Sequence, residues 1–100
     1  MKPVIIHRSA RKELDGAIAH YESIRTGLGL DLQDEVEHAV SRLQADPQLG
    51  PRYKATEYRF WLIRRFPYVV YYLELDEFIW VAAVAHGRRR PGYWTRRRMK

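Results

Sequence analysis

Tyr68-Val-Val-Tyr-Tyr-Leu-Glu-Leu75 and Phe78-Ile-Trp-Val-Ala-Ala-Val-Ala85, separated only by Asp76-Glu77, form the stretch that decides the fold. Both runs are dominated by β-branched and aromatic residues, which suit a pleated, half-buried surface. So short a link predicts a hairpin. Every residue from Phe78 to Ala85 is apolar, which predicts a strand inside a sheet with both faces covered. The run before them, Tyr58–Arg65, has the same character and joins through Arg65-Phe-Pro67. Alternation places Arg59, Trp61, Ile63 and Arg65 on one of its faces and Tyr58, Phe60 and Leu62 on the other. Neither face is uniformly polar, so both are expected to be covered or used.

Upstream the period changes. Ala10, Leu14, Ala17, Ile18, Tyr21 and Ile24 recur at helical spacing, with Ser9 as the expected N-cap. Gly27 and Gly29 around Leu28 are expected to end that helix. Leu28, Leu32, Val36, Ala39, Val40 and Leu43 then build a second one, with Asp31, Asp34 and Glu35 near its start, where the helix dipole favours acids, and Pro47 as its stop. Two amphipathic helices on so short a link form an antiparallel hairpin. Pro3–His7 reads as a first strand and residues 47–57 as a loop. The order is β-α-α-β-β-β: an α+β fold with a helical hairpin on one face of a mainly antiparallel four-stranded sheet.

One hundred residues make one domain, 1–100, with a single core. A hydrophobic fraction of 46% excludes a disordered chain. Absence of cysteine excludes disulfides, thiolate zinc sites and a thiol nucleophile. The four histidines are scattered, and neither a metal nor a cofactor is expected. No signal-type segment and no apolar run long enough to span a bilayer is present, so a cytoplasmic protein without a membrane partner is expected.

Charge is strongly segregated. Residues 1–57 hold eight basic and nine acidic side chains, whereas residues 58–100 hold ten basic and three acidic. From His86 onward there are six arginines and one lysine, no acid, and a Tyr93-Trp94 pair between two arginine triplets. Guanidinium groups interleaved with aromatics suit phosphate pairing with base stacking, or docking on an acidic protein.

No phosphate loop, Walker motif or nucleophile elbow occurs, and the three serines lie on or capping the helices. His86 at a strand end, Arg59 and Arg65 on one strand face, and the Arg/Tyr/Trp tail would suit metal-free RNA cleavage. That reaction needs a base, an acid, and cations to stabilise the charged intermediate. Packing is the simpler role for Tyr68, Tyr71 and Tyr72.

Several segments in this order resemble one family: Tyr21-Glu22, Gly27-Leu-Gly29, Asp46-Pro47, the Arg59 strand, Arg65-Phe-Pro-Tyr68 running into Val-Val-Tyr-Tyr72, Ala83-Val-Ala-His86, Arg88-Arg89, and Pro91-Gly-Tyr-Trp94 with Arg97. Together they are similar to the toxins of type II toxin–antitoxin pairs in the RelE/ParE superfamily, also described as plasmid stabilisation proteins. The resemblance covers nearly the whole chain and implies the β-α-α-β-β-β fold. It also implies growth inhibition and a cognate antitoxin that neutralises the toxin, with a homodimer or a heterotetramer with antitoxin as the assemblies left open.

Two activities follow from it. RelE-type members cut mRNA on the ribosome, whereas ParE-type members block DNA gyrase. Arg59 matches a basic position of the ribonucleases and Tyr93 their late tyrosine, so a metal-independent endoribonuclease would use Arg59, His86 and Tyr93. Tyr68 stands where the ribonucleases place an arginine, and Val84-Ala-His86 looks more ParE-like. Gyrase inhibition is therefore the first expectation, with target contacts from Arg65, Arg88, Arg89, Arg90, Trp94, Arg96, Arg97 and Arg98. The alternatives are the ribosome-dependent endonuclease, or an inactive relative acting as a binding partner or corepressor.

Overall fold

The apolar run near the C-terminus becomes the strand around which a computed structural model, describing residues 1–99, is organised. The elements in chain order are β1 (Val4–Ile6), α1 (Arg8–Ile24), α2 (Leu28–Ala45), β2 (Arg59–Leu62), β3 (Tyr68–Glu74) and β4 (Ile79–His86). They form a four-stranded sheet of order β1-β4-β3-β2. β4 pairs antiparallel with β3 and parallel with β1, and β2 pairs antiparallel with β3. The expected fold class is the one observed. β4 is buried along its length except at His86, as its unbroken apolar sequence predicts.

Each face of the sheet has its own cover. On one face Val70, Tyr72, Ile79, Val81 and Val84 pack with Leu14 and Ala17 of α1 and Leu32, Val36 and Leu43 of α2. On the other face Tyr71, Leu73 and Trp80 pack with Tyr53, Tyr58, Tyr93 and the buried Trp94. The helices cover one layer, and the loop after α2 together with the C-terminal segment covers the second. A register shift between Tyr71 and Tyr72 leaves Ala82 of β4 without an opposite residue, so a bulge sits in the middle of the central strand pair.

Local details differ from the sequence reading at two helix ends. The N-cap of α1 is His7, not Ser9: the His7 Nδ1 accepts the Ser9 amide at 3.0 Å. An imidazole nitrogen thus satisfies one of the orphan donors of the first turn. Gly29 lies inside α2 and does not end α1. A Cβ there would stand 2.6 Å from the Ile18 carbonyl oxygen, so the glycine permits the close approach of the two helices. Glu22 bridges them: its carboxylate accepts the amides of Gly27 and Gly29 at 2.9 and 3.0 Å and so caps α2.

The loop after α2 is tied to the sheet by Tyr72. Its hydroxyl donates to the Pro47 carbonyl at 2.9 Å and accepts the Gly50 amide at 3.0 Å. Among the described residues, no helix is long and apolar enough to cross a membrane.

Leu43 is 1% exposed in the helix–sheet core, whereas Leu30 on the same helix is 62% exposed. Leu43→Ala is expected to cost about 2–5 kcal/mol, as core truncations do. Leu30→Ala should stay within about 0.5 kcal/mol of the parent, as surface changes do. Urea unfolding of both variants checks the contrast, and equal losses would contradict the burial pattern.

Candidate target-binding surface

Beyond β4 the chain runs through turns as far as residue 99 with no further helix or strand among the described residues, so side chains must hold it in place. The path begins with the Gly87 amide on the Pro67 carbonyl at 2.8 Å and the Arg88 amide on His86 Nδ1 at 3.0 Å. Gly92 takes a φ of +77°, a left-handed conformation that glycine accepts without strain. Trp94 then enters the outer aromatic layer. It stacks on Tyr71 with ring centroids 4.5 Å apart and meets Tyr58 edge-on at 4.8 Å. At 1% exposure it has no free face. Trp94, expected among the target contacts, is placed inside, where the indole is the anchor of the tail.

A second anchor sits at the open edge of β4. β1 pairs with β4 only from Ile79 to Val81. Just beyond, Glu13 of α1 accepts the Val84 amide at 3.1 Å, and Arg97 donates to the Ala82 carbonyl at 2.9 Å. These side chains satisfy backbone groups that a longer β1 would have paired. They also join each other, with both Arg97 Nη atoms 2.9 Å from the Glu13 carboxylate, in the fork geometry that makes such pairs strong. The Tyr93 hydroxyl donates to the same carboxylate.

Burial alone would raise the pKa of Glu13. The hydrogen bonds from Arg97, Tyr93 and Val84 outweigh it and hold the carboxyl below its ordinary range. Burial and the bond to Glu13 push the Tyr93 phenol well above its ordinary value. Arg97, expected among the target contacts, is only 17% exposed by its side chain and is placed in this clamp.

The remaining tail arginines behave differently. Arg88, Arg89, Arg90, Arg96 and Arg98 are exposed, and among the described residues none has a carboxylate within ion-pair distance. Arg89 lies over the Tyr93 ring, its guanidinium carbon 3.9 Å from the ring centroid. Arg90, Gly92, Tyr93, Thr95 and Arg96 line a shallow depression on this surface. Arg65 is not part of the group. Held at φ +73° in the turn between β2 and β3, it pairs with Asp31 at 3.6 Å and Glu35 at 4.0 Å on α2.

The three groups considered for RNA cleavage do not gather. Arg59 lies opposite Tyr72, and His86 lies opposite Tyr68. Those tyrosines stand four positions apart on β3, roughly 13 Å at about 3.4 Å per residue. The Arg59 guanidinium donates to the Gly50 carbonyl at 2.8 Å. His86 meets Tyr68 edge-on at 5.2 Å, and Tyr93 is bound to Glu13. The sequence reading missed Glu13 altogether. On the polar face of α1 it looks like any solvated acid.

A family model described as "ParE toxin of type II toxin-antitoxin system, parDE" matches residues 4–91. A solved structure described as "Chromosomal ParDE TA system from P. aeruginosa" has the same fold, with a TM-score of 0.75 at 19% identity over 86% of this chain and 96% of that one. No curated protein sequence matches.

The lowered Glu13 pKa has a signed consequence for stability. Its contribution is fully present above the pH at which an unfolded glutamate titrates, and it is lost as pH falls through the lower folded value. The stability gap between the parent and Glu13→Gln should be widest near neutrality and shrink on acidification. Denaturant unfolding across pH 3–7 checks this, and a gap that widened toward acid would contradict the clamp.

Proposed function

The chain belongs to the ParE toxin family of type II toxin–antitoxin systems, and from that premise we propose that it inhibits DNA gyrase by docking through the basic face of its C-terminal segment. A toxin of this class has a cognate antitoxin as partner. The observation that carries the choice of target is the separation of Arg59, His86 and Tyr93, each already engaged by its own neighbours. General acid–base cleavage needs its groups within hydrogen-bond reach of one reacting centre. Tyr93, with its proton held toward a carboxylate and its pKa raised, is a poor donor or acceptor for such chemistry. A docking surface needs no convergence, only charge and a fixed shape.

Arg88, Arg89, Arg90, Arg96 and Arg98 supply that charge on a segment fixed by Trp94 and by the Glu13–Arg97 pair. Exposed charges of this kind act mainly on association and lose strength with salt. Toxicity and gyrase inhibition should fall in increments as the arginines are replaced by alanine, each step weakening binding roughly 2–5-fold, the worth of an exposed ion pair. Supercoiling by purified gyrase, followed beside ribosome-associated mRNA, tests the target. Codon-positioned mRNA cuts with unimpaired supercoiling would overturn the proposal.

The same charge bears on neutralisation. An antitoxin segment rich in acidic and apolar residues complements the basic half, so its association rate should drop as salt rises. Stopped-flow measurements from low to high salt check this, and a flat profile would remove the electrostatic contribution.

A further inference from the structure

Glu13, Tyr93 and Arg89 form a chain of contacts from the first helix to the exposed tail, with Arg97 beside them. Glu13 accepts the Tyr93 hydroxyl and both Arg97 Nη atoms, and the Tyr93 ring carries the Arg89 guanidinium at 3.9 Å. Arg97 also lies over that ring, at 5.2 Å. Of the five free tail arginines, Arg89 alone stands over a ring among the described residues. An arginine side chain has several rotatable bonds, and holding one geometry costs rotamer entropy on binding. A ring fixed beneath it reduces that cost, provided the ring itself does not move. Trp94, the next residue, is buried and fixes the backbone. The phenol oxygen is fixed by Glu13.

We propose that Glu13 is a positioning residue for the target-binding surface, acting through the Tyr93 ring to hold Arg89 in the orientation that meets the target. The proposal rests on the docking role of the tail given above. Glu13 itself is 15% exposed by its side chain and has all four of its donors within the protein, so it acts without meeting the target. Its influence is exerted on one cation, not on the charge of the surface, and that separates it from a general electrostatic contribution. Removing Glu13 would in fact make the protein more positive, so a purely electrostatic account predicts tighter binding to an acidic target.

The test has two arms. On the free protein, the Arg89 Nε–Hε resonance is followed by NMR. It should be shifted by the Tyr93 ring current in the parent and move toward the value of a free arginine in Glu13→Gln. On the gyrase complex, affinities are measured for Glu13→Gln, Arg89→Ala and the double variant. Each single change should weaken binding roughly 2–5-fold, and the double no more than about 1.5-fold beyond the weaker single, because coupled residues are not additive.

An Arg89 resonance unmoved by Glu13→Gln, or single losses that multiply in the double variant, would overturn the proposal. If Glu13→Gln does not fold, Tyr93→Phe serves in its place, since it keeps the ring and the Glu13–Arg97 pair and removes only the tether. An Arg89 resonance that moves in a toxin with no affinity for gyrase would leave the positioning in place and sink the target assignment alone.

Discussion

β4 is apolar from Ile79 to Ala85 and sits between two other strands, so both of its faces must be taken out of water. The rest of the architecture follows from that requirement. A hundred-residue chain has one helical hairpin to offer, and it covers one face through Leu14, Leu32, Val36 and Leu43. The opposite face exposes Trp80, Ala82 and Ala83 unless something else is laid over it. The tail and the loop after α2 do this with Trp94, Tyr53 and Tyr58. A segment without regular structure can serve as a cover because large rings bury much area per ordered residue. The arginine-rich end of the molecule is thus folded because the strand beneath it needs a roof.

The edge of that strand imposes a second demand. β1 is three residues long and stops at Ile6, while β4 continues to His86. Exposed backbone donors and acceptors on an edge invite pairing with other chains, and proteins blunt such edges with charge. Here the blunting is done by an ion pair, with Glu13 on the Val84 amide and Arg97 on the Ala82 carbonyl. The bulge at Ala82 falls at the same place. One carboxylate therefore closes the sheet edge and ties the tail to the first helix. Its depressed pKa reflects the bonds that do so. Losing it would leave a partly buried guanidinium, the Tyr93 hydroxyl and the Val84 amide without their carboxylate partner together, which costs far more than an exposed salt bridge is worth.

The fold was legible because its signals are periodic and local. The stripes of α1 and α2, the unbroken apolar run of β4 and the short hairpin link each specify an element within a few residues. The site was legible only as charge. Trp94 between two arginine triplets reads as an exposed stacking platform, and nothing nearby in the sequence says that Tyr71, Tyr58 and Tyr53 will enclose it. One hint was present: the second face of the Tyr58–Leu62 strand was too apolar to be left open. Glu13 was invisible for a stronger reason. Its partners Tyr93 and Arg97 lie 80 and 84 positions away, and a single acid on a helix's polar face carries no mark of a distant contact. His7 as a cap was missed because the N-cap preference favours hydroxyl and carboxamide side chains, whereas here a ring nitrogen accepts the bond.

Burial of Trp94 and pairing of Arg97 change what the basic tail can do. With both removed from the surface, five guanidiniums remain and no exposed tryptophan accompanies them, so recognition by base stacking loses its main platform. What is left reads charge and shape. The shape is fixed by an indole in an aromatic layer and, on either side of it, by a carboxylate that belongs to the helical layer. A segment held at two such points presents its arginines with much of the ordering cost already met in folding, and preorganisation of that kind raises affinity without any new contact. The residues that look most like ligands in the sequence are therefore the ones that build the surface, and their plainer neighbours are the ones left exposed on it.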